Sequence, residues 1–141
     1  MADLYTWMGK SERLADLTVS SEGATRARAI VALDALAGRE LVINETGIKA
    51  AINSEQRNKI VSNRALGKSL RNGYSSRQLF SVAAVMDKAW EKASLAEILG
   101  DRARDKNILS IRRFETPMLL DGEGAIAYIT AKESAEHGNR I

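Results

Sequence analysis

The strict alternation of apolar and polar residues near the C-terminal end is the feature that most constrains the fold of this chain. Residues 108–114 and 125–132 each alternate with a period of two, which is typical of half-buried β-strands. Residues 121–124 between them, Asp-Gly-Glu-Gly, favour a turn. Residues 117–120 continue the first strand after a break, because a proline interrupts the hydrogen bonds of a ladder. We expect these strands to pair in an antiparallel sheet.

The preceding part of the chain predicts helices and one hairpin. Apolar spacing of three and four residues indicates helices over residues 25–37, 55–66, 76–93 and, more briefly, 95–99. Gly38 and Gly67 are placed where they would end the first two helices. A β-hairpin is expected over residues 40–53, and loops over 68–76 and 101–107.

Helices followed by strands predict an α+β domain in which N-terminal helices pack on one face of the sheet. We expect this single domain to span residues 25–141. Residues 1–24 are expected to form a peripheral N-terminal segment, with a short helical turn around Trp7 and Met8.

The composition excludes several kinds of site. The chain has no cysteine, which removes disulfides and thiol nucleophiles and favours a cytoplasmic location. A single histidine, His137, excludes a multi-histidine metal site within one chain. No apolar run approaches the roughly 20 residues of a membrane span, and the first residues lack the order of a signal peptide. We therefore expect no metal, no cofactor and no membrane partner.

The positive charge of the chain is concentrated in one segment. The formal net charge is +3, and both residues 1–53 and residues 78–141 are slightly acidic. Residues 54–77 carry six basic side chains, Arg57, Lys59, Arg64, Lys68, Arg71 and Arg77, against only Glu55. Clustered lysine and arginine are the footprint of a polyanion partner such as a nucleic acid. A solvated basic surface is the alternative.

Two motif interpretations of the same region are weak. Residues 62–69 resemble a phosphate-binding loop, but Ser62 stands where the pattern needs its first glycine, and a helix rather than a strand precedes it. A helix-turn-helix over residues 55–93 would have a nearly neutral second helix, which suits the major groove poorly.

The end of the chain carries residues suited to acid–base chemistry. Metal-independent RNA cleavage needs a base for the 2′-hydroxyl proton, an acid for the leaving oxygen and fixed cations around the phosphate. Glu133 could be the base and His137 the acid, both close to Lys132 and Arg140 in sequence. Arg112 or Arg113, together with Lys68, could supply the cations. The alternative is an exposed polar tail.

Three segments together carry a family resemblance: residues 41–50 (LVINETGIKA), Arg112-Arg113-Phe114 with Pro117, and residues 127–133 (AYITAKE) with His137-Gly138. Over residues 25–141 the chain resembles a domain of large phage and mobile-element polyvalent proteins, which is assigned to the barnase/EndoU/colicin/RelE-like nuclease superfamily. The resemblance implies helices on a strongly bent antiparallel sheet, as in small RNA-cleaving toxins, and a location in the host cytoplasm. It also implies catalytic roles for Arg113, Glu133 and His137, and a further strand after the histidine-glycine segment.

These observations leave three functional hypotheses. The first is an RNase-like domain that cleaves RNA without a metal, with Arg112 and the six basic residues of segment 54–77 binding nucleic acid. The second is a non-catalytic module that binds nucleic acid or a host protein, for example a phage inhibitor of a host nucleic-acid machine. The third is a structural domain of a larger phage polypeptide. An immunity protein is a further expected kind of partner for a nuclease toxin.

Overall fold

The computed structural model describes residues 6–10, 17–99, 108–134 and 138–140, and it confirms an α+β fold. The strands are β1 (Thr6–Lys10), β2 (Thr18–Val19), β3 (Leu41–Val42), β4 (Lys49–Ala50), β5 (Ser94–Leu99), β6 (Ile108–Leu120), β7 (Glu123–Ser134) and β8 (Gly138–Arg140). The helices are α1 (Arg26–Asp34), α2 (Ser54–Ile60), α3 (Asn63–Arg71), α4 (Ser76–Ala83) and α5 (Met86–Glu91).

The long hairpin of β6 and β7 forms the centre of the main sheet. Its ladder runs from Leu120 opposite Glu123 to Ile108 opposite Ser134, with one register shift near Ser110. Asp121 and Gly122 form the two-residue turn with φ values of 52° and 83°. Positive φ at both positions is the requirement of the type I′ hairpin turn, which asparagine or aspartate followed by glycine supplies. The predicted alternating strands and turn are confirmed.

Pro117 does not break β6, so the predicted interruption of this strand is wrong. The Leu119 amide donates to the carbonyl of Leu17, just before β2, at 2.8 Å and so on the side away from β7. Backbone groups alternate sides along a strand, so position 117 also faces away from β7. On that side β5 pairs with β6 as far as Glu115, and β2 starts at Leu119. The missing N–H of the proline therefore falls in the gap between the two strands.

Four short strands extend the hairpin on both sides into a six-stranded sheet. On the β7 side, β1 pairs with residues 125–129 and β8 with residues 132–134. On the β6 side, β5 is antiparallel and β2 is parallel. The sheet is thus mixed and curled, and the prediction of a purely antiparallel sheet needs this correction. Strands β3 and β4 form the predicted separate hairpin.

Helices α1, α2, α4 and α5 share the main core with the sheet face that carries Phe114. The core contains Trp90 of α5 and Phe114 of β6, whose rings meet edge to face at 4.8 Å between centroids. The Trp90 indole N–H donates to the Leu41 carbonyl at 3.0 Å, which ties α5 to β3. The Thr116 hydroxyl donates to the Ala89 carbonyl at 2.6 Å, which ties β6 to α5. Buried polar groups paired in this way fix the position of helix α5 on the sheet.

Several local predictions are wrong because tertiary packing overrides local preference. The helix predicted over residues 55–66 is divided into α2 and α3, with Ser62 accepting from the Ala65 amide as the N-cap of α3. Gly67 therefore lies inside α3 rather than ending a helix, and residues 68–71 are helical rather than a loop. The helix predicted over residues 76–93 is divided into α4 and α5.

Two segments predicted as helical are strands. Residues 94–99 form β5, because the short apolar run there pairs with Ile111–Glu115 of β6. The turn expected around Trp7 is β1, in which Met8 is completely buried. The charged loop expected over residues 101–107 lies outside the described residues. The resemblance implies a further strand after the histidine-glycine segment, and the short strand β8 begins at Gly138 of that segment.

Asp121 joins the hairpin turn to two other elements. Its carboxylate accepts from the Ser21 backbone N–H at 2.8 Å, from the Ser21 hydroxyl at 2.7 Å and from the side-chain amide of Gln78 on α4 at 3.1 Å. The Ser21 hydroxyl is the largest influence that lowers the pKa of this carboxyl below its usual value. The turn is thus anchored to the chain after β2 and to the start of α4.

Two glycines respond in opposite ways to the same substitution. A Cβ at Gly9 of β1 would come within 2.7 Å of Tyr128 Cε2, whereas a Cβ at Gly67 of α3 would meet only Arg71 Nη1 at 3.9 Å. Gly9→Ala should destabilise the protein by about 1–3 kcal/mol through overpacking. Gly67→Ala should stabilise it by about 0.5–1 kcal/mol through helix propensity. Chemical denaturation of both variants checks this, and the same sign for both would contradict the packing described here.

Candidate active site and nucleic-acid interface

Arg112 and Arg113, adjacent in sequence, lie on opposite faces of β6. Arg112 shares the helix-facing side with Phe114, and its guanidinium carbon is 6.0 Å from the centroid of that ring. Arg113 lies on the other side and forms an ion pair with Glu97 of β5 at 3.2 Å. Side-chain alternation along a strand thus assigns the two arginines to different surroundings.

The sheet face that carries Arg113 holds a cluster of polar side chains, and the buried Ile111 and Ile126 lie on it as well. We call it the polar face and define it by Arg113, Glu115, Tyr128, Thr130 and Lys132, which alternate with the core residues of β6 and β7. Arg113 is paired across the ladder with Thr130, and Glu115 with Tyr128. Directly opposite side chains on one face lie about 4.5–5.5 Å apart at Cβ. The ladder therefore gathers two cations, a carboxylate and two hydroxyl groups in one small area.

Thr130 is the most unusual member of the polar face. Its side chain is 1% exposed, and its hydroxyl has no hydrogen-bond partner among the described residues. Lys132, two residues along on the same face, is only 8% exposed. Buried polar groups are normally satisfied, and an exception needs an explanation such as a ligand. A buried hydroxyl between two cationic side chains has the chemistry to hold an anion such as a phosphate.

Tyr128 connects the polar face to helix α3. It packs against the small apolar cluster of Ala65 and Leu79. The neighbouring Tyr74 hydroxyl donates to the Gly9 carbonyl at 3.1 Å, and burial is the first cause that raises its pKa above the usual value. Ser69 of α3 accepts from the Met8 amide at 3.3 Å. These contacts hold α3 against β1, so the helix borders the polar face.

The basic residues of segment 54–77 fall into two groups. Arg57 is bonded to Asp34 at 2.8 Å, and Lys59 forms an ion pair with Glu55 at 3.3 Å. In α3, Arg64, Lys68 and Arg71 recur at positions i, i+4 and i+7, on the side of the helix next to its buried residues Ala65 and Ser69. We call these three residues the α3 stripe. Arg77 is exposed in the first turn of α4, where its charge helps to lower the pKa of Asp121.

Two of the three predicted catalytic residues lie wholly or partly outside the described structure. His137 is not among the described residues, and neither is the side chain of Glu133. The backbone of Glu133 is part of β7 and pairs with Ser110 of β6 and Asn139 of β8. The alternation of β7 groups position 133 with Ala131 and Arg112, whereas Arg113 is grouped with Thr130 and Lys132. The register therefore does not bring Glu133 onto the polar face.

Glu115 is a carboxylate of the polar face that the sequence interpretation did not single out. It follows Arg113 by two residues, so an unbroken strand carries both on one face. The signal was present in the sequence, but the break assigned before Pro117 hid it. Among the described residues, no group of three or more histidine, aspartate or glutamate side chains is placed to hold a metal ion.

Comparisons with known proteins identify a family. The family model described as Large polyvalent protein-associated domain 3 matches residues 21–141. No curated protein and no solved structure matches the chain. In the part of the chain that the structure describes, no helix is long and apolar enough to cross a membrane.

The two buried threonines of the main sheet provide a matched pair for testing the anion site. Thr130→Val removes a hydroxyl without a described partner, so the free energy of unfolding should stay the same or rise slightly. Thr116→Val removes the bond to the Ala89 carbonyl and should cost about 1–3 kcal/mol. Urea denaturation with and without phosphate measures both effects. Phosphate should stabilise the wild type more than Thr130→Val; equal losses for both variants would give Thr130 a structural role instead.

Proposed function

The chain belongs to the family of large polyvalent protein-associated domain 3, and we propose that it is an RNA-cleaving domain whose active site is the polar face of the sheet. The observation that carries this proposal is the buried Thr130 hydroxyl beside Arg113 and Lys132. The likeness of residues 25–141 to the nuclease domains of phage polyvalent proteins supports the same activity.

The polar face offers the groups that RNA cleavage by acid–base chemistry requires. Arg113 and Lys132 would stabilise the charge that develops on the phosphate, and the Thr130 hydroxyl would donate to one of its oxygens. A carboxylate would take the proton of the 2′-hydroxyl, which attacks the adjacent phosphorus. An acid would then protonate the leaving 5′-oxygen. In this proposal His137, which follows the end of β7 in sequence, is that acid.

We assign the general base to Glu115 rather than to Glu133. Glu115 is half-buried on the polar face, two residues from Arg113 and opposite Tyr128. Position 133 belongs to the alternate set of β7 residues, together with Ala131. A base must lie within hydrogen-bond reach of the proton that it removes, so it must share a face with the cations that hold the phosphate.

Cleavage assays can separate the two carboxylates. In excess chelator, the wild type should cleave single-stranded RNA to a 2′,3′-cyclic phosphate product. Glu115→Gln and His137→Ala should each lower the rate by about 10²–10⁴-fold, as for lost acid–base groups. Glu133→Gln should retain a rate within a few-fold of the wild type, as should Glu40→Gln, the control at an exposed ion pair with Lys49.

The outcomes of this assay distinguish Glu115 from Glu133 as the base and also test whether the protein is an enzyme. A large loss in Glu133→Gln with none in Glu115→Gln would transfer the base to Glu133. Failure of the wild type to cleave any RNA would reject the enzymatic function.

The α3 stripe supports a second candidate function, which is binding of nucleic acid without cleavage. Helix α3 has three basic residues and no acidic residue, and its buried Ala65 packs in one cluster with Tyr128 of the polar face. In an α-helix the rise of about 1.5 Å per residue spreads these charges over about 10 Å, enough for consecutive backbone phosphates. The stripe would hold the backbone of RNA in either function.

The salt dependence of binding tests the α3 stripe. Neutralising Arg64, Lys68 and Arg71 to glutamine should reduce the slope of log affinity against log salt by about 0.7 per lost contact with single-stranded RNA. Neutralising Arg57 and Lys59, which lie on α2 outside the stripe, should change the slope little. An unchanged slope in the stripe variant would exclude the stripe from the interface. Stripe-dependent binding by an inactive wild type would establish the binding module.

A further inference from the structure

Strand β5 contains a β-bulge that decides where its only charged side chain lies. Leu95 is opposite Phe114 of β6. Glu97 comes two residues later but is opposite Arg113, the neighbour of that phenylalanine. In a regular ladder Glu97 would instead be opposite Arg112, on the side that faces the helices. Bulges of this kind redirect side chains, often next to functional sites, and this one assigns Glu97 to the polar face.

The redirected carboxylate lies at the phosphate site of the polar face. Glu97 Oε2 is 3.2 Å from Arg113 Nη1. Across the other ladder, Arg113 is opposite Thr130, whose buried hydroxyl has no hydrogen-bond partner among the described residues. Arg113 is thus flanked by the carboxylate on one strand and by the hydroxyl on the other. A phosphate held by Arg113 and Thr130 would therefore lie beside a fixed negative charge.

The charge of Glu97 opposes phosphate monoesters more strongly than phosphodiesters. A diester carries one negative charge, whereas a monoester carries about 1.5–2 near pH 7. Two unit charges about 6 Å apart change an affinity about threefold in water, and by more at a partly shielded site. The side chains of Arg113 and Glu97 are 30% and 52% exposed, so this site is only partly shielded from solvent. The extra charge of a monoester should therefore have a measurable cost.

We propose that Glu97 is a specificity residue of the polar face, which lowers the affinity for phosphate monoesters relative to phosphodiesters. The inference rests on the proposed function, because it takes the polar face as the phosphate site of an RNA-cleaving domain. The phosphates within an RNA strand are diesters, whereas a phosphorylated end is a monoester. Glu97 would thus disfavour the binding of phosphorylated ends, acting through the charge that it places beside Arg113.

A matched pair of ligands measures this selectivity. 2′-Deoxyuridine 3′-phosphate and its methyl ester differ by one negative charge at about pH 8, where the monoester is ionised twice. Neither ligand has the 2′-hydroxyl that the proposed cleavage requires. Titration calorimetry of the full chain at low ionic strength gives both dissociation constants. Glu97→Gln should raise the affinity for the monoester at least about threefold more than the affinity for the methyl ester.

Two further variants control for charge and for structure. Glu40→Gln removes the same charge from an exposed ion pair with Lys49 and should leave the ratio of the two affinities unchanged. Glu97→Asp keeps the carboxylate, so its ratio should be closer to that of the wild type than to that of Glu97→Gln. Circular dichroism verifies that each variant is folded. An unchanged ratio in Glu97→Gln, or an equal loss of affinity for both ligands, would overturn the proposal, because Glu97 would then only hold Arg113 in place.

The titration and the RNA cleavage assay fail in different ways. An active enzyme whose ratio does not respond to Glu97→Gln would overturn this inference alone. A wild type that discriminates through Glu97 but cleaves no RNA would reject the enzymatic function alone. Binding of neither ligand would overturn the inference, since the polar face would then hold no phosphate site.

Discussion

The ladder between β6 and β7 is the constraint on which the rest of this structure depends. Its type I′ turn at Asp121-Gly122 fixes the register, and the register decides which residues enter the core. In the observed register Phe114 faces the helices, while Arg113 lies on the opposite side with Thr130. A slip by one residue would move the arginine into the core and the phenylalanine out of it. The same hydrogen bonds therefore create the core and the polar face together.

The helices are short and are held mainly by what they pack against. The longest helices have nine residues, and isolated helices of that length are marginal in water. Helix α5 is stabilised by tertiary contacts of Trp90, whose ring packs on Phe114 and whose N–H donates to the Leu41 carbonyl. Tertiary contacts of this kind also explain why α3 continues through Gly67, since Ala65 and Ser69 on either side of it are buried.

The features predictable from the sequence were those with a local signal. The period-two pattern and the Asp-Gly turn predicted the central hairpin, and the cluster of basic residues was evident from the sequence alone. Strand β5 could not be recognised, because its short apolar run becomes a strand only by pairing with β6. Arg57 bonds to Asp34, 23 residues away, so the sequence did not show that this arginine forms an ion pair within the domain. Glu115 was missed because a proline was expected to end the strand. Pro117 is tolerated in β6 because it lies between the residues that pair with β5 and those that pair with β2, which the sequence does not show.

The ion pair of Arg113 with Glu97 links the polar face to strand β5. The Glu97 side chain is 52% exposed, and an exposed pair of this kind contributes about 0–1 kcal/mol. A phosphate oxygen would offer the same guanidinium an equivalent charge-assisted partner. Exchange of the carboxylate for a phosphate therefore costs little, while the carboxylate neutralises the arginine when no anion is bound. Glu97 can thus hold Arg113 in position on the polar face without blocking it.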